Sequence, residues 1–291
     1  MTIKNCIVSQ VHIPPFDNQG LTYDYQKVKM VELSIKSLRT NNFDDYIVMI
    51  GHGLRPNVKI LDLCDYVYWE DVYNPIAGTA KMPAQYTYVS KGIKHCVDKG
   101  YTRILKVRGD SIYDIKNIVQ YFETILIKEN TKLFITQMTA TLDYKMGDCV
   151  MYGDSELLDY IWDSKHPIKA NDGLIQTGKN FVEYFIKKQT PIFNVKQKLY
   201  NNLTWIQMLK KYCSFRNINT IRWMDLRFNY HILKKIGLDI LENKILKNEF
   251  DVLNFYWGKT NNWFNFDLEN NKLNSSIESY YLEESTFYEN I

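Results

Sequence analysis

Hydrophobic and polar positions follow two different spacings along the first half of the chain. Short β-favouring runs, apolar at every position or at every second one, predict strands at 3–13, 46–50, 65–69, 106–110, 133–138 and 148–152. Between them, apolar residues recur every three or four positions, which is the spacing of one helix face. These stretches predict helices at 24–38, 83–97, 114–128 and 155–162.

Strands that alternate with helices in this way indicate βαβ units, so we predict an α/β protein with a mostly parallel sheet flanked by helices. Beyond about residue 165 the rhythm changes, and helices are indicated at 181–187, 203–212 and 228–245. The last part of the chain is too rich in Trp, Tyr and Phe for an ordinary disordered tail. We therefore expect a core at 1–165 and a helical, aromatic-rich C-terminal region at 166–291 that packs on it.

The composition is that of an ordinary globular protein, with 45% hydrophobic and 24% charged residues. The net charge of +3 is too small to indicate nucleic acid, and no basic motif interleaved with aromatic residues is present. Lys and Arg outnumber Asp and Glu from Lys187 to Lys247. Such a run favours a solvated face, and peripheral contact with a membrane or an anionic acceptor is the alternative.

The five cysteines are scattered and have no C-x-x-C spacing. This argues against a disulfide framework or a zinc site and favours a reducing compartment. No signal-peptide pattern and no apolar run of bilayer length is present in the sequence. We therefore expect a cytoplasmic protein.

The most informative stretch is Tyr101–Tyr113, YTRILKVRGDSIY. Lys106, Arg108 and Asp110 alternate with apolar residues there, and Gly109 ends the predicted strand. Charged side chains are costly inside a sheet covered by helices, and open α/β sheets bind ligands where their strands end. The pattern therefore predicts a ligand site; the alternative is a local Arg–Asp pair that closes a loop.

Several common catalytic and phosphate-binding motifs are absent from the sequence. There is no G-x-G-x-x-G after the first strand, no P-loop, no nucleophile elbow and no metal-ligand spacing among the histidines. His12 and His52 end predicted strands and are minor candidates for ligand contact. What remains is a carboxylate site, in which Asp110 suits Mg²⁺ or Mn²⁺ and Arg108 and Lys106 suit a diphosphate.

Two further carboxylates flank the predicted strand at 148–152. Asp148 begins this strand and Asp154 follows it, and either suits the role of a general base. Asp154 stands directly before Ser155 and Leu157, so an ordinary helix cap is its alternative role. Asp148 has no such alternative and is the better candidate.

An ordered set of motifs resembles the WavE-type lipopolysaccharide-biosynthesis proteins. The set is a helix with Gln85 near its start, then ILKVRGD, then LFITQM, then GDCVMYGDSELLDYIWD, within residues 3–165. The resemblance implies a GT-A-type glycosyltransferase fold and a nucleotide-sugar donor. The sequence departs from the family pattern at Ala84, where the family has Arg, and at Cys149, where it has Trp.

The resemblance also implies roles for single residues. The donor-side residues would be Ser9, Gln10, Asp65, Gln85, Lys106, Arg108 and Asp110, with Asp148 beside the acceptor. Asp110 would hold the metal, Mn²⁺ or Mg²⁺. Only the second carboxylate of the usual Asp-x-Asp motif is present, however, so Arg108 or Lys106 is an alternative source of positive charge.

We therefore expect a glycosyltransferase that moves a sugar from a UDP-, GDP-, CDP- or dTDP-linked donor to a growing polysaccharide or other glycan. Two alternatives stay open. One is a sugar-1-phosphate nucleotidyltransferase, which would normally carry a glycine-rich loop after the first strand. The other is a non-catalytic carbohydrate-binding or scaffold protein on a transferase-like fold.

Overall fold

The computed structural model of the chain describes residues 4–13, 24–41, 45–71, 81–113, 118–135, 146, 150–165, 173–189, 208–209, 211–215, 220–222, 265–267 and 272–274. Asp148, the helix predicted at 228–245 and most of the basic and aromatic C-terminal stretches lie outside these residues. Within the described residues, no helix combines the length and the apolar character needed to cross a membrane.

The elements alternate as the hydrophobic spacing predicts. The strands are β1 (Asn5–Ile13), β2 (Tyr46–Gly53), β3 (Tyr66–Glu70), β4 (Arg103–Arg108), β5 (Ser111–Tyr113), β6 (Leu133–Ile135), β7 (Val150–Asp154), β8 (Cys213–Phe215), β9 (Thr220–Arg222), β10 (Asn265–Asp267) and β11 (Lys272–Asn274). The helices are α1 (Asp24–Asn41), α2 (Val58–Leu61), α3 (Lys81–Asp98), α4 (Ile118–Glu129), α5 (Ser155–Ile161) and α6 (Gly173–Gln189).

Seven of the described strands form one sheet in the order β3-β2-β1-β4-β7-β6-β8. β7 is antiparallel to both of its neighbours, β4 and β6, and the other neighbouring strands are parallel. This confirms the predicted α/β class with a mostly parallel sheet. β1 lies near the middle and is buried from Cys6 to Val11, as expected for a strand that is covered on both faces.

Helices cover both faces of the sheet. α3, α5 and α6 pack on one face, around the fully buried Tyr86, Trp162 and Phe181. α1, α2 and α4 pack on the other. Because side chains alternate along a strand, Lys106 and Leu105 of β4 point to opposite faces. Leu105 joins the α4 layer, whereas the ammonium group of Lys106 lies over the ring of Trp162.

The region after residue 165 contributes to the same sheet and core. α6 packs against α5, and β8 adds a parallel edge strand beside β6. Of the helix predicted at 203–212, the described residues 208–209 and 211–212 are helical, and the chain then enters β8 directly. β8 is only three residues long, which is too short for an alternating pattern to reveal it.

Cys6 of β1 and Cys96 of α3 are joined by a disulfide in the core, with their Cα atoms 6.5 Å apart. This differs from the expectation drawn from cysteine spacing, because the two residues are 90 positions apart and meet only when α3 packs on the sheet. Cys64 and Cys213 are free thiols. Burial raises the pKa of Cys64 to about 12 and that of Cys213 well above its ordinary value.

Candidate functional site

The order of the strands reverses beside β1. The chain runs from β1 outward to β2 and β3, then returns across the sheet to β4 on the other side of β1. β4 pairs with β1 in parallel, with Gln10 opposite Arg108 near the carboxyl ends. In open α/β sheets, the crevice at such a reversal is where ligands bind. The carboxyl edge of β1 and β4 is therefore the candidate site.

Three charged side chains meet at this edge. They are the cations Lys27 and Arg108 and the carboxylate of Asp110 that pairs with both, and we call the three together the cation cluster. The guanidinium of Arg108 donates from Nε to Oδ1 of Asp110 at 3.0 Å and from Nη2 to Oδ2 at 3.1 Å. The Lys27 ammonium, from α1, lies 3.4 Å from the same Oδ2. The Asp110 side chain is 3% exposed and that of Arg108 is 23% exposed. One buried carboxylate thus fixes two cations, of which Arg108 is the more accessible.

The turn that carries Asp110 is tied to its surroundings by the main chain. The N–H of Gly109 donates to the carbonyl of Gln10 at 2.7 Å, and the Ser34 hydroxyl donates to the carbonyl of Ser111 at 2.6 Å. A Cβ atom at Gly109 would lie 3.0 Å from Oγ of Ser9, so glycine permits the close approach of the two strands. Within the described part of the chain, this buried Oγ has no hydrogen-bond partner.

A strand from the C-terminal region, β9, lies next to the turn that carries Asp110. β5 begins directly after Asp110 and pairs antiparallel with β9, with Ser111 opposite Arg222. β9 comes from beyond residue 165 and therefore borders the cation cluster through its main chain.

A second polar group lies beside the cluster, at the ends of β1, β2 and β3. Nδ1 of His12 and Nε2 of His52 are 2.5 Å apart, and the His52 ring stacks on Tyr88 of α3 with 4.3 Å between centroids. The Tyr88 hydroxyl donates to Glu70, and Nζ of Lys91 lies 3.0 Å from the same carboxylate. A chain of contacts thus runs along the sheet edge from β1 to β3 and α3.

The electrostatics of this chain are set by burial and hydrogen bonds. Burial lowers the pKa of His52 to about 4, against a smaller opposing effect of Glu70, so the ring is neutral at pH 7. Hydrogen bonds from Tyr68 and Tyr88 lower the pKa of Glu70 to about 2. Burial, together with Glu70, raises the pKa of Tyr88. Since Nδ1 of His12 and Nε2 of His52 face each other, their contact is a hydrogen bond when one nitrogen carries a proton and the other accepts it.

Lys106 does not lie at the edge with Arg108. It is fully buried in the middle of β4, in register with Val8 on one side and Met151 on the other. Its Nζ lies 4.7 Å from the centroid of the Trp162 ring, at the end of α5. Lys106, one of the two cations predicted to contact the phosphates, therefore lies enclosed in the core, whereas Arg108 is partly exposed.

Two of the predicted carboxylates lie at the opposite edge of the sheet. Asp65 precedes β3, where it accepts from the N–H of Ile47 at 2.8 Å and pairs with Arg39 at 2.6 Å. Asp154 ends β7, and because β7 is antiparallel, this end lies beside Arg103 at the start of β4, with which it forms an ion pair. Asp154 makes no side-chain cap bond to α5. Neither carboxylate joins the cation cluster.

The other predicted residues divide as follows. Ser9 and Gln10 are buried in β1 next to the cluster, and Gln85 is half-buried in the second turn of α3. Asp148 lies outside the described residues.

Lys27 was not predicted, since a lysine in an amphipathic helix carries no signal of its own. It reaches Asp110 because α1 packs against β5.

The cation cluster does not fit the predicted Mn²⁺ or Mg²⁺ site. Such a metal needs a carboxylate oxygen at close range, usually together with a second carboxylate or substrate phosphates. Both Asp110 oxygens already accept from Arg108, and Lys27 adds a second positive charge next to one of them. Across the described residues, no group of three or more His, Cys, Asp or Glu side chains is arranged to hold a metal ion.

No protein-family model and no curated protein sequence matches this chain. Solved structures do resemble it. A putative nucleotide-diphospho-sugar transferase from Desulfovibrio desulfuricans has a TM-score of 0.44 at 11% identity, over 87% of this chain and 97% of that one. A cytidylyltransferase from Leptospira borgpetersenii has a TM-score of 0.41 at 11% identity, over 89% of this chain and 100% of that one. A putative glucose-1-phosphate thymidylyltransferase from Bacillus anthracis has a TM-score of 0.39 at 10% identity, over 81% of this chain and 97% of that one. Similarities at this level assign no function to the chain.

Proposed function

We propose that this protein is a glycosyltransferase that moves a sugar from a nucleoside-diphosphate donor to a growing polysaccharide or other glycan. The observation that carries the proposal is the position of the cation cluster at the carboxyl edge of β1 and β4, where the strand order reverses. A guanidinium with a fixed plane and a neighbouring ammonium are well suited to phosphate oxygens.

The chemistry of transfer gives these cations a task. The acceptor hydroxyl gives its proton to a base, its oxygen bonds to the anomeric carbon, and the bond from that carbon to the diphosphate breaks. The departing diphosphate gains negative charge, so a cation placed beside it lowers the barrier. Arg108 is the member of the cluster with the exposure to make this contact. Asp148 is the proposed base, on its sequence context alone.

Two further features support a sugar donor and a glycan acceptor. The motif order around Arg108 and Asp110 resembles the WavE-type lipopolysaccharide-biosynthesis proteins, which favours a surface polysaccharide as acceptor. β9 brings the C-terminal region beside β5 and the cluster, which is a suitable position for a segment that contacts the acceptor.

Thermal unfolding with UDP, GDP, CDP and dTDP tests the donor class. A nucleotide present at 100 times its Kd stabilises the folded state by about 2.7 kcal/mol, so one of the four is expected to raise the Tm by several degrees. The absence of a shift with all four would contradict the proposal.

The reaction type needs a second assay. Release of the nucleoside diphosphate from the matching nucleotide sugar, dependent on an added glycan, supports a glycosyltransferase. Release of pyrophosphate from a nucleoside triphosphate and a sugar 1-phosphate would instead identify a nucleotidyltransferase.

A further inference from the structure

We propose that Asp110 is a positioning residue and that Arg108 and Lys27, rather than a divalent metal, neutralise the donor diphosphate. This rests on the proposed function, because it concerns the source of positive charge at the same site. It assigns a role to Lys27, and it replaces the predicted role of Asp110 as a metal ligand.

The Asp110 carboxylate is already engaged by both cations. Nε and Nη2 of Arg108 each donate to one Asp110 oxygen, at 3.0 and 3.1 Å, and the Lys27 ammonium lies 3.4 Å from Oδ2. A metal bound to either oxygen would share that oxygen with a charge-assisted hydrogen bond and would lie next to two cations that repel it. The arrangement favours an Asp110 that serves these cations and disfavours one that serves a metal.

The Asp110 carboxylate is also more deeply buried than the two cations. The Asp110 side chain is 3% exposed, whereas Lys27 is 13% and Arg108 is 23% exposed. The carboxylate therefore lies beneath the cations, and a ligand that approaches the edge from solvent meets Arg108 first. A carboxylate that held a metal for the phosphates would need an oxygen open on the side from which the phosphates arrive.

Both cations are held in place by further contacts or by a fixed geometry. Lys27 also donates to the carbonyl of His12, so one ammonium ties α1 both to the end of β1 and to Asp110. Arg108 is the last residue of β4, and its two-nitrogen fork fixes the guanidinium plane. Two cations held by separate elements provide a preorganised site, which costs little reorganisation when charge develops.

Calorimetric titration of each of UDP, GDP, CDP and dTDP, once with EDTA and once with Mn²⁺, tests the inference. We expect at least one nucleotide to bind in EDTA, with a Kd that Mn²⁺ changes by less than about threefold. Asp110→Asn should weaken this metal-free binding by about tenfold or more, because Arg108 and Lys27 lose their common anchor.

The matched control is Glu123→Gln. Glu123 is 12% exposed and accepts from Nε of Arg103 at 3.1 Å, at the other end of β4, so the variant also removes one carboxylate from a buried arginine pair. Both variants should lose stability in denaturant unfolding, but only Asp110→Asn should change nucleotide binding. Asp110→Glu, which keeps the carboxylate, should recover part of the affinity.

The outcomes separate the two proposals. Nucleotide binding that requires Mn²⁺, and that Asp110→Asn makes insensitive to Mn²⁺, would overturn the inference and leave the glycosyltransferase proposal standing. Equal losses of affinity in Asp110→Asn and Glu123→Gln would also overturn it, since a structural effect alone would then explain them. If no nucleotide binds under either condition, both proposals fail.

Discussion

Nδ1 of His12 and Nε2 of His52 lie 2.5 Å apart, so the ends of β1 and β2 are joined by a hydrogen bond when one nitrogen carries a proton and the other accepts it. A second proton would place two N–H groups against each other and break the contact. The same His52 ring is stacked on Tyr88 and buried, which lowers its pKa to about 4. The stability of this edge should therefore depend on pH.

His52 should destabilise the fold in mild acid. Its pKa is lower in the folded state than its ordinary value of 6.5, so the unfolded state takes up the proton first as the pH falls. The contribution of the neutral ring is fully present above pH 6.5 and is lost progressively as the pH falls toward 4, by about 1.4 kcal/mol for each pH unit. The total over this window is about 3 kcal/mol.

Urea unfolding of the wild type and His52→Gln across this window measures the effect. The variant should show a flatter dependence of the free energy of unfolding on pH. His95→Gln is a suitable control, since burial lowers the pKa of His95 without a large shift. The pKa of Glu70 is lowered to about 2, so its stabilising contribution is fully present above about pH 4.5 and is lost only below it; the upper part of the window therefore reports on His52. Parallel profiles for wild type and His52→Gln would contradict the account.

Gly51→Ala should destabilise the protein by displacing Trp69. A Cβ atom at residue 51 would lie 2.2 Å from the Trp69 ring, whose Nε1 donates to the carbonyl of Gly53 at 3.0 Å. Overpacking of this kind costs about 3 kcal/mol, and the tryptophan emission should shift as the ring moves.

The control for this prediction is Gly100→Ala. Gly100 has a φ of +78° at the end of α3, and a Cβ atom there would meet nothing within 4 Å. Its cost should be about 1 kcal/mol, from the backbone alone, with unchanged tryptophan emission. An equal cost for both variants in denaturant unfolding would show that Trp69 does not pack over Gly51.

Lys106→Met should affect stability and leave nucleotide binding unchanged. Lys106 is fully buried against Trp162, so its replacement exchanges a cation–π contact for apolar packing, with a net change in unfolding free energy of about 2 kcal/mol or less. Because the side chain is fully buried against Trp162, the Kd for the nucleoside diphosphate should stay within about twofold. A tenfold loss of affinity would restore Lys106 to the phosphate site.

The fold could be predicted from the sequence because its signals are local. The apolar runs of β1 and β2 and the helical spacing of α3 each depend on neighbouring residues, and alternation correctly separated Lys106 from Leu105. β8 and β9 have only three residues each and left no comparable signal. Their pairing is decided by contacts with distant strands.

The site was harder to predict because strand direction decides which residues share an edge. Asp154 lies at the carboxyl end of its strand and Asp110 lies just beyond the carboxyl end of β4, but β7 runs antiparallel and carries Asp154 to the opposite edge. Asp65 precedes its strand and lies at that edge too. The Arg108–Asp110 pair was visible as an alternative in the sequence. Lys27 and the His12–His52 contact depend on packing between segments that are far apart in the chain.

The most direct test of the account compares two arginines of the same strand. Arg108 ends β4 at the proposed donor site, and Arg103 begins it at the opposite edge, where it pairs with Glu123. Each is replaced by Gln, the fold is checked by thermal unfolding, and binding of the nucleoside diphosphate that stabilises the wild type is measured by calorimetry. We predict that Arg108→Gln weakens binding by about tenfold to a hundredfold and that Arg103→Gln changes it by less than about twofold. Equal affinities in the two folded variants would contradict the placement of the donor diphosphate at Arg108.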